Sequence, residues 1–183
     1  MASAPAGAPR SGAWFDVRVG ARLALDHGSL PTTTLGAGAL VELERDPWIL
    51  ALAATTYRRQ FVGGPRDRIG GAYVDLSTFE VDACWQRAIA THGLRACLGV
   101  ELGSEGTRGV GIERSDTTSA FWGAANVGLQ ARPWQDRGIA PMAGVVVGHA
   151  FAAPDVVIQG FGTLFEAPFL FVRLQLGLEI RLF

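Results

Sequence analysis

Apolar and polar residues alternate along the chain from its first aromatic residues onward. Between Trp14 and Leu25, one parity is apolar and the other carries Asp16, Arg18 and Arg22. A period of two residues is typical of a β-strand, because successive side chains point to opposite faces. The segment has twelve residues, which is longer than the usual soluble strand of about five or six and suits a tilted membrane-spanning strand of about 9–11.

The same pattern predicts eight strands in all, joined by alternating short and long connections. The other seven are expected at about residues 34–44, 48–59, 72–85, 94–102, 121–132, 138–150 and 172–182. Short turns near residues 45, 90 and 134 alternate with longer connections rich in Gly, Pro and charge, including a polar loop from Gly103 to Thr118. This succession predicts an all-β fold, a transmembrane up-and-down antiparallel barrel with short periplasmic turns and longer external loops.

Two segments near the C-terminus fit the pattern less well. Pro141 lies within the seventh predicted strand, where it removes a backbone N–H from the hydrogen-bond ladder, so we expect a β-bulge there. Residues Val156 to Phe161 are expected to continue this strand beyond the membrane. If the segment formed a further spanning hairpin instead, the barrel would have ten strands and a wider lumen.

Composition excludes several other classes of protein. The 183 residues are 49% hydrophobic and only 18% charged, which is unusually apolar for a soluble domain. No apolar run reaches the ~18–20 residues of a spanning helix, so strands must cross any membrane. The net charge is −1, and the charged residues are distributed over the whole chain. Their distribution gives no sign of a nucleic-acid surface. Residues 1–12 are predicted to be a disordered N-terminal segment of a mature exported form, and residues 13–183 the barrel.

Alternation alone leaves open which face is outside, since a soluble ligand-binding barrel has its apolar residues inward. The predicted topology gathers aromatic residues near both strand ends. The periplasmic group is Trp14, Trp48, Trp85, Trp134 and Phe183, and the external group is Tyr57, Phe61, Tyr73, Phe151, Phe165 and Phe169. Two aromatic girdles favour a membrane barrel with its apolar face outward, although aromatic residues also serve packing at hairpin ends.

The polar parity would then line the lumen. Its charged residues are nearly balanced in sign, and a barrel of about eight strands is narrow enough for them to pair with one another. We therefore predict a lumenal ion-pair network with a structural role. Its expected members are Asp16, Arg18, Arg22, Glu42, Glu44, Glu80, Asp82, Arg95, Glu101, Arg132, Arg173, Glu179 and Arg181.

The two cysteines indicate a structural link. If the fourth and fifth strands form a hairpin centred between Ala90 and Thr91, Cys84 lies directly opposite Cys97 on the lumenal face. An oxidising periplasm would favour a disulfide at that position; the alternative is two buried free thiols. A separation of thirteen residues matches neither a metal site nor a CxxC pair.

No other residues form a recognisable site, and we predict no catalytic, cofactor-binding or metal-binding residues. His27, His92 and His149 lack the spacing of metal ligands. Ser77 and His149 could approach each other near the outer rim, as in lipid-modifying barrels, but no feature of the sequence fixes a triad.

The last strand, Val172-Arg-Leu-Gln-Leu-Gly-Leu-Glu-Ile-Arg-Leu-Phe183, resembles the terminal strand of small bacterial outer-membrane β-barrels. Leu94-Arg-Ala-Cys-Leu-Gly-Val-Glu-Leu-Gly103 is similar to segments of uncharacterised barrels of Gram-negative bacteria. The resemblance extends from Ala13 to Phe183. It implies a fold like the transmembrane domain of OmpA, the outer membrane as location, and recognition of the last strand by the outer-membrane assembly machinery, but no catalytic residues.

The expected function is that of an integral outer-membrane barrel with a structural or surface-display role and no enzymatic activity. A narrow pore is the first alternative, and a lipid-modifying membrane enzyme is the second. We expect outer-membrane lipid and the assembly machinery as partners. The barrel is further expected to be a monomer that needs no cofactor and binds no nucleic acid.

Overall fold

The computed structural model describes residues 15–63, 70–89, 92–111, 117–134, 137–158 and 162–182. Within these ranges the chain forms strands and no helix. The strands are β1 (Asp16–His27), β2 (Thr34–Arg45), β3 (Trp48–Tyr57), β4 (Gln60–Gly63), β5 (Gly71–Ile89), β6 (His92–Val110), β7 (Thr117–Pro133), β8 (Ile139–Ala152), β9 (Val156–Ile158), β10 (Gly162–Phe165) and β11 (Leu170–Arg181). The part of the chain that is described holds no helix long and apolar enough to cross a membrane. The predicted N-terminal segment 1–12 and two predicted girdle residues, Trp14 and Phe183, lie outside the described residues.

The long strands form one closed antiparallel barrel. Strands that follow one another in the chain pair in order, and β1 closes the ring by pairing with β11 from Arg18↔Arg181 to His27↔Val172. β3 pairs with β5 from Trp85 to Ser77, and β4 pairs with the remaining part of β5 from Val74 to Gly71. Each spanning strand therefore has a hydrogen-bonded neighbour on both sides, as a sheet in lipid requires. The predicted fold class, an eight-stranded transmembrane up-and-down barrel, is confirmed.

Apolar side chains cover the outer wall and charged side chains fill the lumen. Leu98 and Leu129 on the outer wall are 65% and 64% exposed, whereas Arg132 and Arg173 are 0% exposed. A soluble ligand-binding barrel would have the reverse arrangement. The exposed apolar side chains of the outer wall, here called the apolar belt, are typical of a surface that lies in a membrane.

Aromatic residues flank the belt at both ends. Trp48 and Trp85 are paired across β3 and β5. They lie at the end of the barrel where β1 begins and β11 ends, here called the periplasmic end. The exposed aromatic residues toward the opposite, external end are Phe61, Tyr73, Phe121, Phe151 and Phe169. Two predicted members are placed elsewhere: Tyr57 lies in the lumen because it shares the parity of inward-facing Thr55, and Phe165 is partly buried against the interior.

The sheet extends further on the external side than the sequence predicts. β6 continues to Val110 and β7 begins at Thr117, so most of the predicted loop from Gly103 to Thr118 is strand. These residues keep their pairing with β5 and with each other above the apolar belt. Because that region is polar and rich in glycine on both faces, its alternation does not indicate a strand.

The predicted bulge at Pro141 is wrong. The β7–β8 ladder ends at Ala131↔Ala143, so Pro141 lies beyond it and pairs only with Leu178 of β11. The proline therefore removes no N–H from the β7–β8 ladder. The register shifts instead at Phe151, near the external end of β8.

The prediction that Val156 to Phe161 continue the seventh strand is also wrong. Val156 to Ile158 form β9, which pairs with β10 in a separate two-stranded sheet. Pro154 lies between the end of β8 and the start of β9, where it interrupts the strand. Residues 159–161 lie outside the described residues, and neither β9 nor β10 joins the barrel wall.

A disulfide crosses the β5–β6 hairpin on its lumenal face. Cys84 and Cys97 are register partners, with an S–S distance of 2.05 Å and a Cα–Cα distance of 4.0 Å. Both residues are buried. The link joins the two strands near the periplasmic end of the barrel.

We expect the purified chain to require detergent or lipid and to migrate differently on gels when it is not boiled. A closed, fully hydrogen-bonded barrel with an apolar belt resists unfolding by detergent at room temperature. Electrophoresis of boiled and unboiled samples measures this difference. A monomer that stays in solution without amphiphile would contradict the membrane assignment.

We expect both thiols of the oxidised protein to be protected from alkylation, as measured by mass spectrometry without reductant. The double variant Cys84→Ala/Cys97→Ala should lower the free energy of unfolding by about 2–3 kcal/mol, because the link restricts a short loop of the unfolded chain. Denaturant unfolding in lipid vesicles measures the change. Two alkylated thiols in protein exported to the periplasm would contradict the link.

Candidate functional site

The lumen is the candidate functional site because its polar side chains are buried together inside a membrane-spanning wall. Each strand contributes every second residue to it. Among the described residues, these side chains form three polar clusters, one large apolar layer and two small apolar groups between the periplasmic and external ends. Every polar cluster contains at least one arginine that bonds to a carboxylate from another strand.

The periplasmic cluster joins three arginines and three glutamates from five strands. Arg95 Nη1 donates to Glu42 Oε1 at 2.6 Å, and Arg18 Nε donates to Glu44 Oε2 at 3.2 Å. Arg132 bonds to all three glutamates. Equal numbers of opposite charges, each with hydrogen-bond partners, meet the condition for burying ions in a low-dielectric interior. The cluster comprises Arg18, Glu42, Glu44, Arg95, Arg132 and Glu179.

The middle cluster is built around Arg22 and Glu80. Arg22 Nη2 donates to Glu80 Oε2 at 2.5 Å and to Thr55 Oγ1 at 2.8 Å. Asn126 Nδ2 donates to the other oxygen of Glu80 at 3.1 Å. Asp82 is buried at the same level, yet it forms no ion pair with another described residue. The cluster links β1, β3, β5 and β7 across the lumen.

The third polar cluster lies nearest the external end, is called the upper cluster, and is built around Arg173. Its guanidinium donates two bonds to Glu101, at 2.7 and 3.2 Å, and one to Asp26 at 3.1 Å. The aromatic rings of Tyr57 and Phe171 lie 5.0 and 4.9 Å from the guanidinium carbon. Bidentate pairing and cation–π contacts both favour a planar, permanently charged group at this position.

An apolar plug fills the lumen above the upper cluster. Its members are buried, and Val62, Ala153, Leu164 and Phe165 pack against it from the external side. The ring of Trp122 lies 5.7 Å from that of Phe171, which connects the plug to the upper cluster. The plug comprises Ala24, Leu30, Tyr57, Ala72, Val74, Leu76, Trp122, Ala124, Val146, Ala150, Val156 and Phe171.

A cavity of about 270 Å³ opens at the periplasmic mouth. Arg181 and Asp16 line it near the mouth, where their charged groups are 2.5 Å apart. Arg18, Glu44 and Arg132 of the periplasmic cluster line it further inside. The cavity therefore ends on a set of ion pairs.

The structure places the predicted charged residues in the lumen and groups most of them in the clusters above. Sequence reasoning missed Asp26, Thr55, Tyr57 and Asn126 as members. For Asp26 a signal was present, because it shares the parity of Arg22 in β1. The third strand is too uniformly apolar for its facing to be predicted, which concealed Thr55 and Tyr57.

The residues considered for enzymatic chemistry are not brought together. Ser77 and His149 lie on the outer wall, on strands separated by β6 and β7. The Ser77 hydroxyl is 3.2 Å from that of Thr56, and the His149 ring packs against Phe169. Among the described residues, no three His, Cys, Asp or Glu side chains are arranged to hold a metal ion.

Comparison by sequence finds no matching family model and no matching curated protein. Comparison by structure finds outer-membrane and surface proteins. Neisserial surface protein A aligns with a TM-score of 0.58 and 12% identity over 93% of this chain and 98% of that one. A major outer membrane protein from Thermus thermophilus aligns with a TM-score of 0.64 and 11% identity, over 91% of this chain and 99% of that one. The third is Ail, the attachment invasion locus protein of Yersinia pestis, in complex with a heparin analogue. It aligns with a TM-score of 0.55 and 13% identity, over 92% of this chain and 97% of that one.

These similarities extend over nearly the whole of each chain and establish the fold. The apolar outer belt, the aromatic girdles and the charged lumen provide independent evidence for a membrane barrel. The location predicted from the sequence, the bacterial outer membrane, agrees with the names of these structural neighbours. The chain is therefore a small eight-stranded β-barrel of the outer-membrane type.

Proposed function

We propose that the chain is a closed outer-membrane barrel with a structural or surface-display role, which neither conducts ions nor catalyses a reaction. The observation that carries this proposal is the succession of ion-paired clusters and an apolar plug along the lumen. A lumen filled in this way serves as a rigid interior for the wall.

The layers oppose conduction for two different reasons. Passage of an ion through the upper cluster would separate Arg173 from Glu101 and Asp26, and an uncompensated buried charge costs about 3–5 kcal/mol. Above that cluster, Trp122 and Leu76 are 0% exposed within the plug. A mostly apolar layer of this kind cannot replace the hydration shell of an ion.

A surface-display role fits the external end of the barrel. β5 and β6 extend beyond the apolar belt there, so they would meet the medium outside the cell. The names of two structural neighbours describe a surface protein and an attachment invasion protein. These names support a role at the cell surface for this chain without specifying a ligand.

The proposed partners follow from the outer wall. Outer-membrane lipid would cover the apolar belt, with the girdle tryptophans at the level of the headgroups. β11 would be the strand that the assembly machinery recognises, and it is also the strand that closes the ring with β1. Since the barrel has no open edge within the belt, it needs no second copy, and we propose a monomer.

We expect no stable conductance steps from the unmodified protein in planar lipid bilayers. The ion pairs and the plug leave no continuous column of water across the lumen. Steady, reproducible channels would overturn the proposed closed lumen. Hydrolysis of outer-membrane lipid by the purified protein would separately overturn the proposal that it is not an enzyme.

We expect Arg173→Ala to destabilise the barrel by about 3–5 kcal/mol, because Glu101 and Asp26 lose their buried partner. We also expect a leak, because Tyr57 and Phe171 of the plug lose the guanidinium on which they pack. Unfolding in lipid vesicles and bilayer conductance measure the two effects.

The matched control is Arg59→Ala, which removes an ion pair to Asp75 whose arginine side chain is 56% exposed. This control should cost about 0–1 kcal/mol and cause no leak. Equal effects of the two variants would contradict the role of the network.

A further inference from the structure

A carboxyl group is buried inside the barrel near its external end. Glu105 lies on β6, beyond Leu102 of the apolar belt, and it is 2% exposed. Its register partners are Leu76 on β5 and Ala120 on β7. Its Oε2 atom has no hydrogen-bond partner. Burial with one carboxylate oxygen unpartnered favours the neutral form of the acid.

The charges that act on Glu105 are of its own sign. They belong to Asp155, directly before β9, and to Asp75 on β5, whose charge is shared with Arg59 at 2.8 Å. Burial, followed by these two carboxylates, raises the pKa of Glu105 from 4.5 to about 7.

Other charged side chains on the neighbouring described segments do not neutralise this group. The described residues of β4, of β10 and of the external end of β7 carry no charge. The remaining charged residues nearby are Glu101 and Arg173, which pair with each other below it, Arg108 on the outward face of β6, and exposed Glu166 after β10.

The β9–β10 hairpin packs on the apolar plug, which contains Leu76, the register partner of Glu105. Val156, next to Asp155, is 5% exposed within the plug, and Leu164 and Phe165 of β10 pack on it. The hairpin pairs only with itself and belongs to a sheet separate from the barrel. It can therefore move without breaking the hydrogen-bond ladder of the wall.

We propose that the β9–β10 hairpin and the residues before it form a cover that is closed while the Glu105 carboxyl is protonated and opens when it ionises. Opening lets water reach the carboxylate and separates it from Asp155. It also exposes part of the apolar plug to the external medium. The ion-paired clusters lie below the plug, so this motion occurs without conduction and is independent of the proposed closed lumen.

The closed state binds the proton more tightly than the open state, in which Glu105 has its ordinary pKa. The stabilisation of the closed cover is fully present below about pH 4.5 and is lost as the pH rises through about 7. Between pH 5 and pH 8 the opening equilibrium should therefore increase by roughly 50- to 100-fold.

Hydrogen exchange followed by mass spectrometry on the full chain in detergent micelles tests the proposal. After correction for the intrinsic pH dependence of exchange, protection of the β9 and β10 amides should fall by that factor from pH 5 to pH 8, while the β1 and β11 amides stay protected. Glu105→Gln, which resembles the protonated acid, should abolish the dependence. Asp155→Asn should weaken the dependence and move its upper end to lower pH, because removal of a neighbouring negative charge lowers the pKa of Glu105 in the closed state.

The matched control is Glu166→Gln, which removes an exposed negative charge just after β10 and should leave the pH dependence unchanged. His149, on the outer wall against Phe169, is present both in wild type and in Glu105→Gln, so any effect it has would appear equally in the two. Hairpin protection that does not change with pH would overturn the proposal. So would a dependence that survives in Glu105→Gln, or one spread over the whole barrel.

Discussion

Lipid offers no hydrogen-bond partner to the polypeptide backbone, and the rest of this structure depends on that constraint. An open sheet edge in the membrane would leave a row of N–H and C=O groups without partners, each at a cost of several kcal/mol. The pairing of β1 with β11, strands from the two ends of the chain, removes both edges at once. Closure fixes a narrow ring, and the narrow ring determines what its interior can hold.

The narrow interior explains why most of the lumenal charges are paired. Side chains that alternate away from lipid must share a space that is little wider than the side chains themselves. Arg132 and Glu42 are 90 residues apart in the chain and become bonded because β7 and β2 face each other across the ring. Charged side chains therefore perform the task that an apolar core performs in a soluble protein, and each depends strongly on its partner.

The external third of the barrel follows the rules of a soluble domain instead. Above the apolar belt the outer face turns polar, with hydroxyl pairs such as Ser104 and Ser119, while the interior becomes the apolar plug. Glu105 lies at the inner surface of this region, where the medium is close but excluded. A buried acid there can respond to the external pH, which the clusters deeper in the lumen cannot reach as directly.

The sequence by itself predicted about eight strands and the position of Cys84 opposite Cys97, because a period of two residues and the hairpin centre define these features locally. The outward facing of the apolar side chains followed only when the aromatic girdles were added to the alternation. The sequence also identified most lumenal charges, since their parity places them inward. It could not determine which arginine bonds to which carboxylate, nor the lumenal position of Tyr57, since β3 is apolar on both faces. The length of β6 beyond Leu102 and the separate β9–β10 hairpin likewise depended on pairing with distant strands. Local alternation specifies a side chain's face, but its partner is decided only when the closed ring brings remote strands together.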